Sequence, residues 1–527
     1  MFGLDIVVVA AYFCAIFGIG LYAGRKQDNL EDYALGGRRM PWWAILASII
    51  AAEISAATFL GTPGEGFALR NFTYVQLGIG TLLGRIIVGK LFLKPYYDYN
   101  VVSIYEYLEK RFGVSTRRCA SFTFLISRVL ASGTRLFFAG ILLVIAYMFI
   151  TGNEVATPTE TVVIYVAALT FITLVTAVYT TLGGLKAVVW TDVLQASILF
   201  LAVFTTIGLL FCSIMGQGTC AEAWNTICAT LNNTAVNPCG TANLKPFAVF
   251  DFGITGQGFM ADVKNILGSE YTLWTAFLGA TFITMATHGT DQDMVQRMLA
   301  AKDSRTGTRA VILSGILDMP IVLIFLTCGM LLYVYFQVNG MTPPAKQIEI
   351  FPYFIIHCLP AGIRGLLVAA LLATAMGSLS TALNALATTA TRDWYRDVFR
   401  PHATDAQMLR AVRLLTVVFA ALLIIVGAVT AWYSVMDPSI RILPIALGIF
   451  GYTYGSLLGI FLLGMLTKTR GTDLGNILAM LAGFVTVITL EICSSQGIIS
   501  GIAFPWRVTI GTLVTFAVGV CFKKRRG

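Results

Sequence analysis

Glu53 lies at the centre of PWWAILASIIAAEISAATFLGTPGEGFALR, residues 41–70, an apolar stretch long enough to cross a bilayer. A carboxylate at that depth costs roughly 2.5–3.5 kcal/mol on insertion scales, so it needs a partner or a task. Small side chains flank it (Ala47, Ser48, Ala51, Ala52, Ser55, Ala56, Ala57), and Gly61, Pro63, Gly64 and Gly66 follow. Such a sequence lets a helix approach a neighbour closely, or lose its hydrogen-bond ladder and turn carbonyl oxygens toward a cation. A packed helix with a hydrogen-bonded glutamate and an ion site are both consistent with this stretch taken by itself.

Two more polar interruptions break apolar sequence. In TFITMATHGTDQDMVQR, residues 281–297, Thr284, Thr287 and His288 precede Asp291, from which point the helix is expected to leave the membrane. In 369–391, Thr374, Ser378, Ser380, Thr381 and Asn384 stand among Ala, Leu and Gly. The spacing puts Thr374, Ser378 and Thr381 on one helix face. That stripe either holds helices together or offers hydroxyl oxygens to a hard cation, which favours five or six oxygen ligands. Arg85, Arg128, Arg135, Asp192 and Asp318 also fall at bilayer depth. Arg128 and Arg135 are two turns apart on one face. They can pair with buried acids, or one can grip an anionic group bidentately. The glycine-rich segment 447–459, with Tyr452 and Tyr454, is expected to flex as an outer gate.

The elements that must position these groups follow from composition. Apolar side chains make up 57% of the 527 residues and charged ones 12%, with a mean hydropathy of +0.79, which excludes a soluble globular chain. The chain is predicted to be an all-α polytopic membrane protein with about thirteen transmembrane helices. The runs are 4–24, 41–69, 73–97, 119–149, 160–183, 187–213, 269–290, 307–337, 361–391, 408–433, 440–467, 472–493 and 503–522. The net charge of +9 does not indicate a nucleic-acid partner, because the basic residues recur in every other loop. Arg25, Lys26, Arg38 and Arg39 lie in the first loop, Arg111, Arg117 and Arg118 in the third, and Arg297, Lys302, Arg305 and Arg309 in the seventh. Arg392, Arg396, Arg400, Arg410 and Arg413 occupy the ninth, Lys468 and Arg470 the eleventh, and Lys523 to Arg526 the end. The positive-inside rule then places the N-terminus outside and the C-terminus in the cytoplasm of a plasma or inner membrane, with lipid as its surroundings.

Asp5, in place of a basic leader, predicts a retained first helix. The long insertion 214–268 is expected to be an outer cap or a spacer. Two of its three cysteines, Cys220, Cys228 and Cys239, can pair there. Asn232-Asn233-Thr234 and Asn71-Phe72-Thr73 match the glycosylation pattern. The remaining cysteines read as apolar filler. His288, His357 and His402 are scattered, and no cysteine cluster has metal spacing, so the chain carries no enzyme signature.

Taken together, LGGRRMPWWAILASIIAAEISA, GGLKAVVWTDVLQ, DQDMVQRMLAAK and the Ser/Thr stripe up to Asn384 resemble the sodium:solute symporter family over about residues 4–467. The resemblance implies a leucine-transporter fold, an inverted repeat of five plus five helices with one extra N-terminal and two extra C-terminal helices, and a broken helix opening each half. A single membrane domain over 1–527 would comprise the leading helix 4–24, a first repeat over 41–213, the loop 214–268, a second repeat over 269–467 and C-terminal helices over 472–522. It implies sodium-coupled import of a small organic solute by alternating access, with Na+ as coupling ion, in a monomer or weak oligomer. The main sodium site would join carbonyls of Ala51 and Ile54 to Thr374, Gly377 and Ser378, where Gly377 lacks the hydroxyl common in relatives. A second sodium would use Asp192, Ser380 and Thr381. Substrate contacts would come from Glu53, Thr58, Gln76 and the segment carrying Thr284, Thr287 and His288, with Arg128 or Arg135 in the helix where sialic-acid carriers bind a carboxylate. Asp318 stands where sugar carriers have a lysine, which favours an anionic or zwitterionic solute over a hexose or polyol. The alternatives are a proton-coupled carrier using Glu53, Asp318 or His288, and a non-transporting sensor, against which the lack of a domain after Arg526 argues.

Overall fold

The computed structural model describes residues 3–24, 27, 29–152, 157–232, 247–437 and 442–523, the side chains of 442–447 excepted. Among these residues the regular structure is helical, with no strand beyond two isolated bridges. The leading helix α1 (Gly3–Ala23) and the short α2 (Leu30–Leu35) precede a bent pair, α3 (Trp42–Glu53) and α4 (Ala56–Leu69), which meet at 67°. Then come α5 (Leu77–Ile87), α6 (Leu93–Asp98), α7 (Tyr105–Arg111), the long α8 (Val114–Thr151) and α9 (Pro158–Met215). The outer loop contributes α10 (Cys220–Asn232) and α11 (Phe259–Gly268), followed by α12 (Ala280–Gly289), α13 (Gln292–Leu299) and α14 (Ser304–Val338). The remainder is α15 (Ile350–Cys358), α16 (Ile363–Thr389), α17 (Asp405–Met436), α18 (Ile442–Leu466), α19 (Asp473–Ser495) and α20 (Phe504–Cys521).

Ten of these helices are long and apolar enough to span, or eleven with the bent pair. The difference from the predicted number has two sources. Helix α9 is one assignment that holds two apolar runs, and a straight helix of its length would reach about 87 Å, nearly three hydrocarbon cores. It is broken at Gly184, whose φ of 54° and ψ of −158° lie outside the helical region. A Cβ there would also stand 2.6 Å from the Tyr33 carbonyl oxygen. The two arms fold back on each other: Tyr179 donates to Met376 O at 3.3 Å, and Gln195 donates at 3.4 Å to Tyr12, whose hydroxyl reaches Met376 Sδ. The other source is the run 269–290, which is helical only from 273 to 289.

That segment was expected to break within 269–290, as the counterpart of 41–70. Instead it continues through a π-helical turn at Thr275–Gly279, and the break falls at Thr290 and Asp291. Asp291 caps α13 through Asp293 N at 2.9 Å. Nor does the chain leave the protein there, because all eight residues of α13 are buried. Helix α16 is buried along nearly its whole length, against α3, α4, α8 and both arms of α9. Helices α4 and α14 approach so closely that a Cβ on Gly329 would fall 1.9 Å from Pro63 O; small residues permit such contact where no hydrophobic force separates helix from lipid.

Charged clasps fasten the periphery. Asp5 accepts from Gly362 N at 2.7 Å and Gly365 N at 2.9 Å, and pairs with Arg364 at 3.1 Å, tying α1 to the start of α16. Asp473 caps α8 through Ser115 N and Thr116 N at 3.1 and 2.7 Å. Arg117 is enclosed by Glu109, Asp393 and Asp397. Among the described residues Cys220 and Cys228 are not joined to each other, and Cys239, like Asn233 and Thr234 of one glycosylation motif, lies outside the described residues. So do Arg25, Lys26, Arg526 and the side chains next to it from 524 onward. The other motif is not a free acceptor: Asn71 is buried, and its Oδ1 accepts from Thr73 N and Thr73 Oγ1 at 3.1 and 2.8 Å.

Replacing Asp5 by alanine removes two hydrogen bonds donated by backbone N–H groups and one ion pair from the α1–α16 junction, an expected loss of about 2–3 kcal/mol. Thermal unfolding in detergent measures it, and an unchanged midpoint would show that the clasp does not stabilise the fold.

Candidate functional site

The helix break after Glu53 is where backbone chemistry becomes available. Ile54 N still bonds to Ile50 O at 3.1 Å, but the amide of Ser55 turns to Glu53 O at 2.9 Å and so leaves the carbonyl of Ala51. Ile54 adopts φ −80°, ψ 84°, and Ser55 is extended before α4 begins. The Ile54 carbonyl, preceding the Ser55 cap, belongs to neither helical ladder. Two carbonyl oxygens are thereby freed inside protein, which is the setting in which irregular backbone is tolerated at membrane depth.

A cavity of about 400 Å³ opens beside this break and reaches Tyr74, Glu270, Tyr271 and Phe504 at the ends of their helices. Glu53, Thr58, Thr284, Thr287 and His288 line it, as do Arg128, Arg135, Asp318 and Ser378. Nine residues read as candidates therefore converge on one space. Gln76 does not join them. It is 1% exposed, its amide donates to Tyr271 O and accepts from Asp251 N at 3.4 Å. The turn that starts α5 directs it to the outer loop, where it fastens 251 to 271.

Within the cavity Glu53 is paired. Its Oε1 meets Arg85 Nη2, and His288 Nε2 lies 2.9 Å away. Arg85 also donates to Ser314 at 2.7 Å and stands 3.9 Å from Asp318. Thr287 Oγ1 lies 2.9 Å from His288 Nδ1. The two arginines of α8 part company. Arg128 is held by Asp291 and Asp293 at the floor of the cavity, and Tyr454 bonds Asp291 from α18. Arg135 has no carboxylate within 4 Å among the described residues; its guanidinium lies 4.6 Å from the centre of the Phe450 ring. Tyr454 is thus 2% exposed and bonded to the α12–α13 break, not poised at an outer opening as 447–459 was expected to be.

The stripe on α16 is bonded to its own backbone. Thr374 donates to Leu371 O, Ser378 to Thr374 O, Ser380 to Gly377 O and Thr381 to Ser378 O, at 2.8 to 3.0 Å. Each hydroxyl hydrogen is occupied, which leaves the oxygen lone pairs to face outward as acceptors. Beside Gly377 the missing side chain exposes two more acceptors: a Cβ there would sit 2.7 Å from Gln195 Oε1 and 3.5 Å from Asp192 Oδ1. Both oxygens are buried without a hydrogen-bond donor. Asp192 Oδ2 is engaged, accepting from Ser48 at 2.5 Å, while Thr381 lies beside Asp293 and Ser380 beside Tyr179. Ser380 and Asp192 thus share Tyr179 as a neighbour, and Thr381 faces Asp293.

These observations can be set against known proteins. The model of the sodium:solute symporter family matches residues 33–483. The chain belongs to the sodium:solute symporter family. Membership makes it a multi-pass, sodium-coupled carrier of a small organic solute, and not an enzyme. This symporter is 26% identical to a sodium/sialic acid symporter of Aliivibrio fischeri over 98% of its own length and 92% of the relative's. It is 28% identical to human sodium-coupled monocarboxylate transporter 1 over 91% of itself and 72% of that protein. A solved structure of a Na+-coupled sialic acid symporter, substrate-bound and outward-open, superposes with a TM-score of 0.77 at 23% identity, covering 99% of each chain. That likeness establishes the leucine-transporter type of fold.

Sequence reasoning missed Arg297, Asp293 and Gln195 in the symporter. Arg297 was counted among loop cations, yet it is fully buried, bonded to Asp293 at 2.7 Å and to Ser48 at 2.9 Å, with Asp192 at 3.8 Å. The signal was present in the four-residue spacing of Asp293 and Arg297, a helical ion pair. Replacing Arg297 by methionine leaves the buried Asp192 without a cation and Asp293 with Arg128 alone, so a loss of about 3–5 kcal/mol is expected. Thermal unfolding of the purified protein would read this, and a midpoint near wild type would contradict it.

Proposed function

We propose that the symporter carries a small solute bearing a carboxylate into the cell together with sodium, by alternating access. The observation that carries this reading is Arg135, a half-buried guanidinium lining the cavity with an aromatic ring beside it and no carboxylate within 4 Å among the described residues. A guanidinium in that state suits bidentate recognition of a carboxylate. The acids handled by the two relatives support the same class. Thr58, Thr284 and Thr287 supply neutral hydrogen-bonding groups to the rest of the solute, and Glu53, His288 and Asp318 a polar wall. Arg128, already paired, shapes the floor and is not the solute ligand.

Sodium, the co-transported ion, is assigned to the freed carbonyls of Ala51 and Ile54 with Thr374 and Ser378 opposite. Gly377 contributes no side-chain oxygen, so its carbonyl or water completes that shell. A second ion is assigned to Asp192, with Gln195 in place of the missing hydroxyl and Ser380 nearby; Thr381 belongs with Asp293. Each sodium moving inward across 100 mV releases about 2.3 kcal/mol. The ion bridges the broken α3–α4 pair and α16, and the solute binds beside it. Alternating basic loops support an N-terminus outside and a C-terminus in the cytoplasm. The two halves, 41–213 and 269–467, would be the units that rock about the site, in a lipid-embedded monomer or weak oligomer without a nucleic-acid partner.

Uptake into proteoliposomes is expected to need an inward sodium gradient, and Ser378→Ala to raise the sodium concentration for half-maximal uptake about tenfold, the loss of one ligand worth some 1.4 kcal/mol. Uptake driven equally well by a proton gradient without sodium would overturn the coupling. Arg135→Ala is expected to weaken binding of carboxylate solutes about 10- to 100-fold while sodium affinity without solute stays within about twofold. Equal loss of both would assign Arg135 a structural role.

A further inference from the structure

The charges around the cavity do not balance locally. On the wall formed by α3, α5 and α14, one guanidinium, Arg85, serves two carboxylates: it touches Glu53 and stands 3.9 Å from Asp318. The second guanidinium nitrogen is taken by Ser314 at 2.7 Å. His288 also stands at Glu53, its Nε2 2.9 Å from Oε1, so the imidazole too lies on the Glu53 side of the wall. Asp318 is therefore left without a hydrogen-bonded cation, a quarter of its side chain exposed to the cavity. On another helix lining the same space, Arg135 is a cation without a carboxylate within 4 Å among the described residues.

We infer that the solute is a zwitterion, its carboxylate gripped by Arg135 and its ammonium or quaternary amine held at Asp318. The inference rests on the carboxylate reading above and adds a second pole to it. An ammonium supplies the donors that Asp318 lacks and restores neutrality to a wall with one arginine and two acids. A plain monoanion would neutralise Arg135 but leave Asp318 uncompensated in the same cavity of about 400 Å³. Restricting both charges to one solute also excludes simple sugars, which would leave both side chains uncompensated. Pairing at both ends is more selective than at either, because a wrong partner leaves a desolvated charge unpaired.

The test uses the purified full chain in sodium buffer and a panel of zwitterions with increasing charge separation: glycine, β-alanine, γ-aminobutyrate, 5-aminovalerate and glycine betaine. Each amine in the panel is paired with its N-acetyl derivative, and acetate, propionate and butyrate are included. Binding is read from thermal shift and calorimetric titration. At least one zwitterion is expected to bind about tenfold more tightly than its N-acetyl or unaminated partner. Asp318→Asn is expected to reduce that ratio to about twofold or less, and Asp318→Glu to retain most of it. If N-acetyl compounds or plain carboxylates bind as well as the zwitterions, the ammonium pole at Asp318 is refuted while the carboxylate reading survives. If amines lacking a carboxylate bind and carboxylates do not, both fall. Absence of binding by every zwitterion overturns the inference, and so does an unchanged preference in Asp318→Asn.

Discussion

Everything at the centre of the symporter follows from one constraint: a peptide carbonyl at bilayer depth must find a partner, because lipid offers none. Helix α3 breaks that rule when Ser55 N turns to Glu53 O, and the carbonyls so released can be tolerated only because α16 and α9 wall them off from lipid. In the proposed sodium site the cost of the break would become the means of holding a cation, which satisfies several oxygens at once and can leave again. A continuous helix through 41–69 would be more stable and would have nothing to bind with.

The buried arginines nearest the cavity floor and walls are shared among acids, not matched singly. Arg85 spans Glu53 and Asp318, Arg128 spans Asp291 and Asp293, and Arg297 spans Asp293 and, through Ser48, Asp192. Asp293 links two of these sets, so the floor of the cavity and the acid beside Gly377 belong to one hydrogen-bonded network. Networks of this kind place charges at high cost but fix their positions. Against that background Arg135 is conspicuous: it lies two helical turns from Arg128 but, among the described residues, without an acid within 4 Å.

Much of this was legible in the amino-acid sequence, and the reasons for the failures are physical. Glu53, Thr284, Thr287, His288 and Ser378 announced themselves because polar groups in apolar sequence need an explanation, and all line one cavity. Arg297 did not, because DQDMVQR is as polar as a loop; only burial by α3, α6 and α14 reveals that it lies inside. Gln76 was misplaced because the position next to a helix start leaves side-chain direction open, and a turn sends it to the outer loop. The hinge in α9 was expected from two apolar runs, but the reversal depends on the left-handed freedom of a single residue, Gly184, which hydropathy does not register. The division into Arg128 and Arg135 was likewise invisible, since both occupy the same face and only Asp291, remote in sequence, distinguishes them.

The enclosure of Arg117 has a kinetic implication. Its three acids are unequally wet: the side chain of Asp393 is fully buried, whereas Glu109 and Asp397 are 35% and 27% exposed. Counter-ions can screen the two outer contacts but hardly the inner one. Separation of α8 from the segment after α16 would then proceed as a peeling motion from the rim inward, with the Asp393 contact as its last and slowest event. The rate at which that face yields would vary with ionic strength only in its early stages.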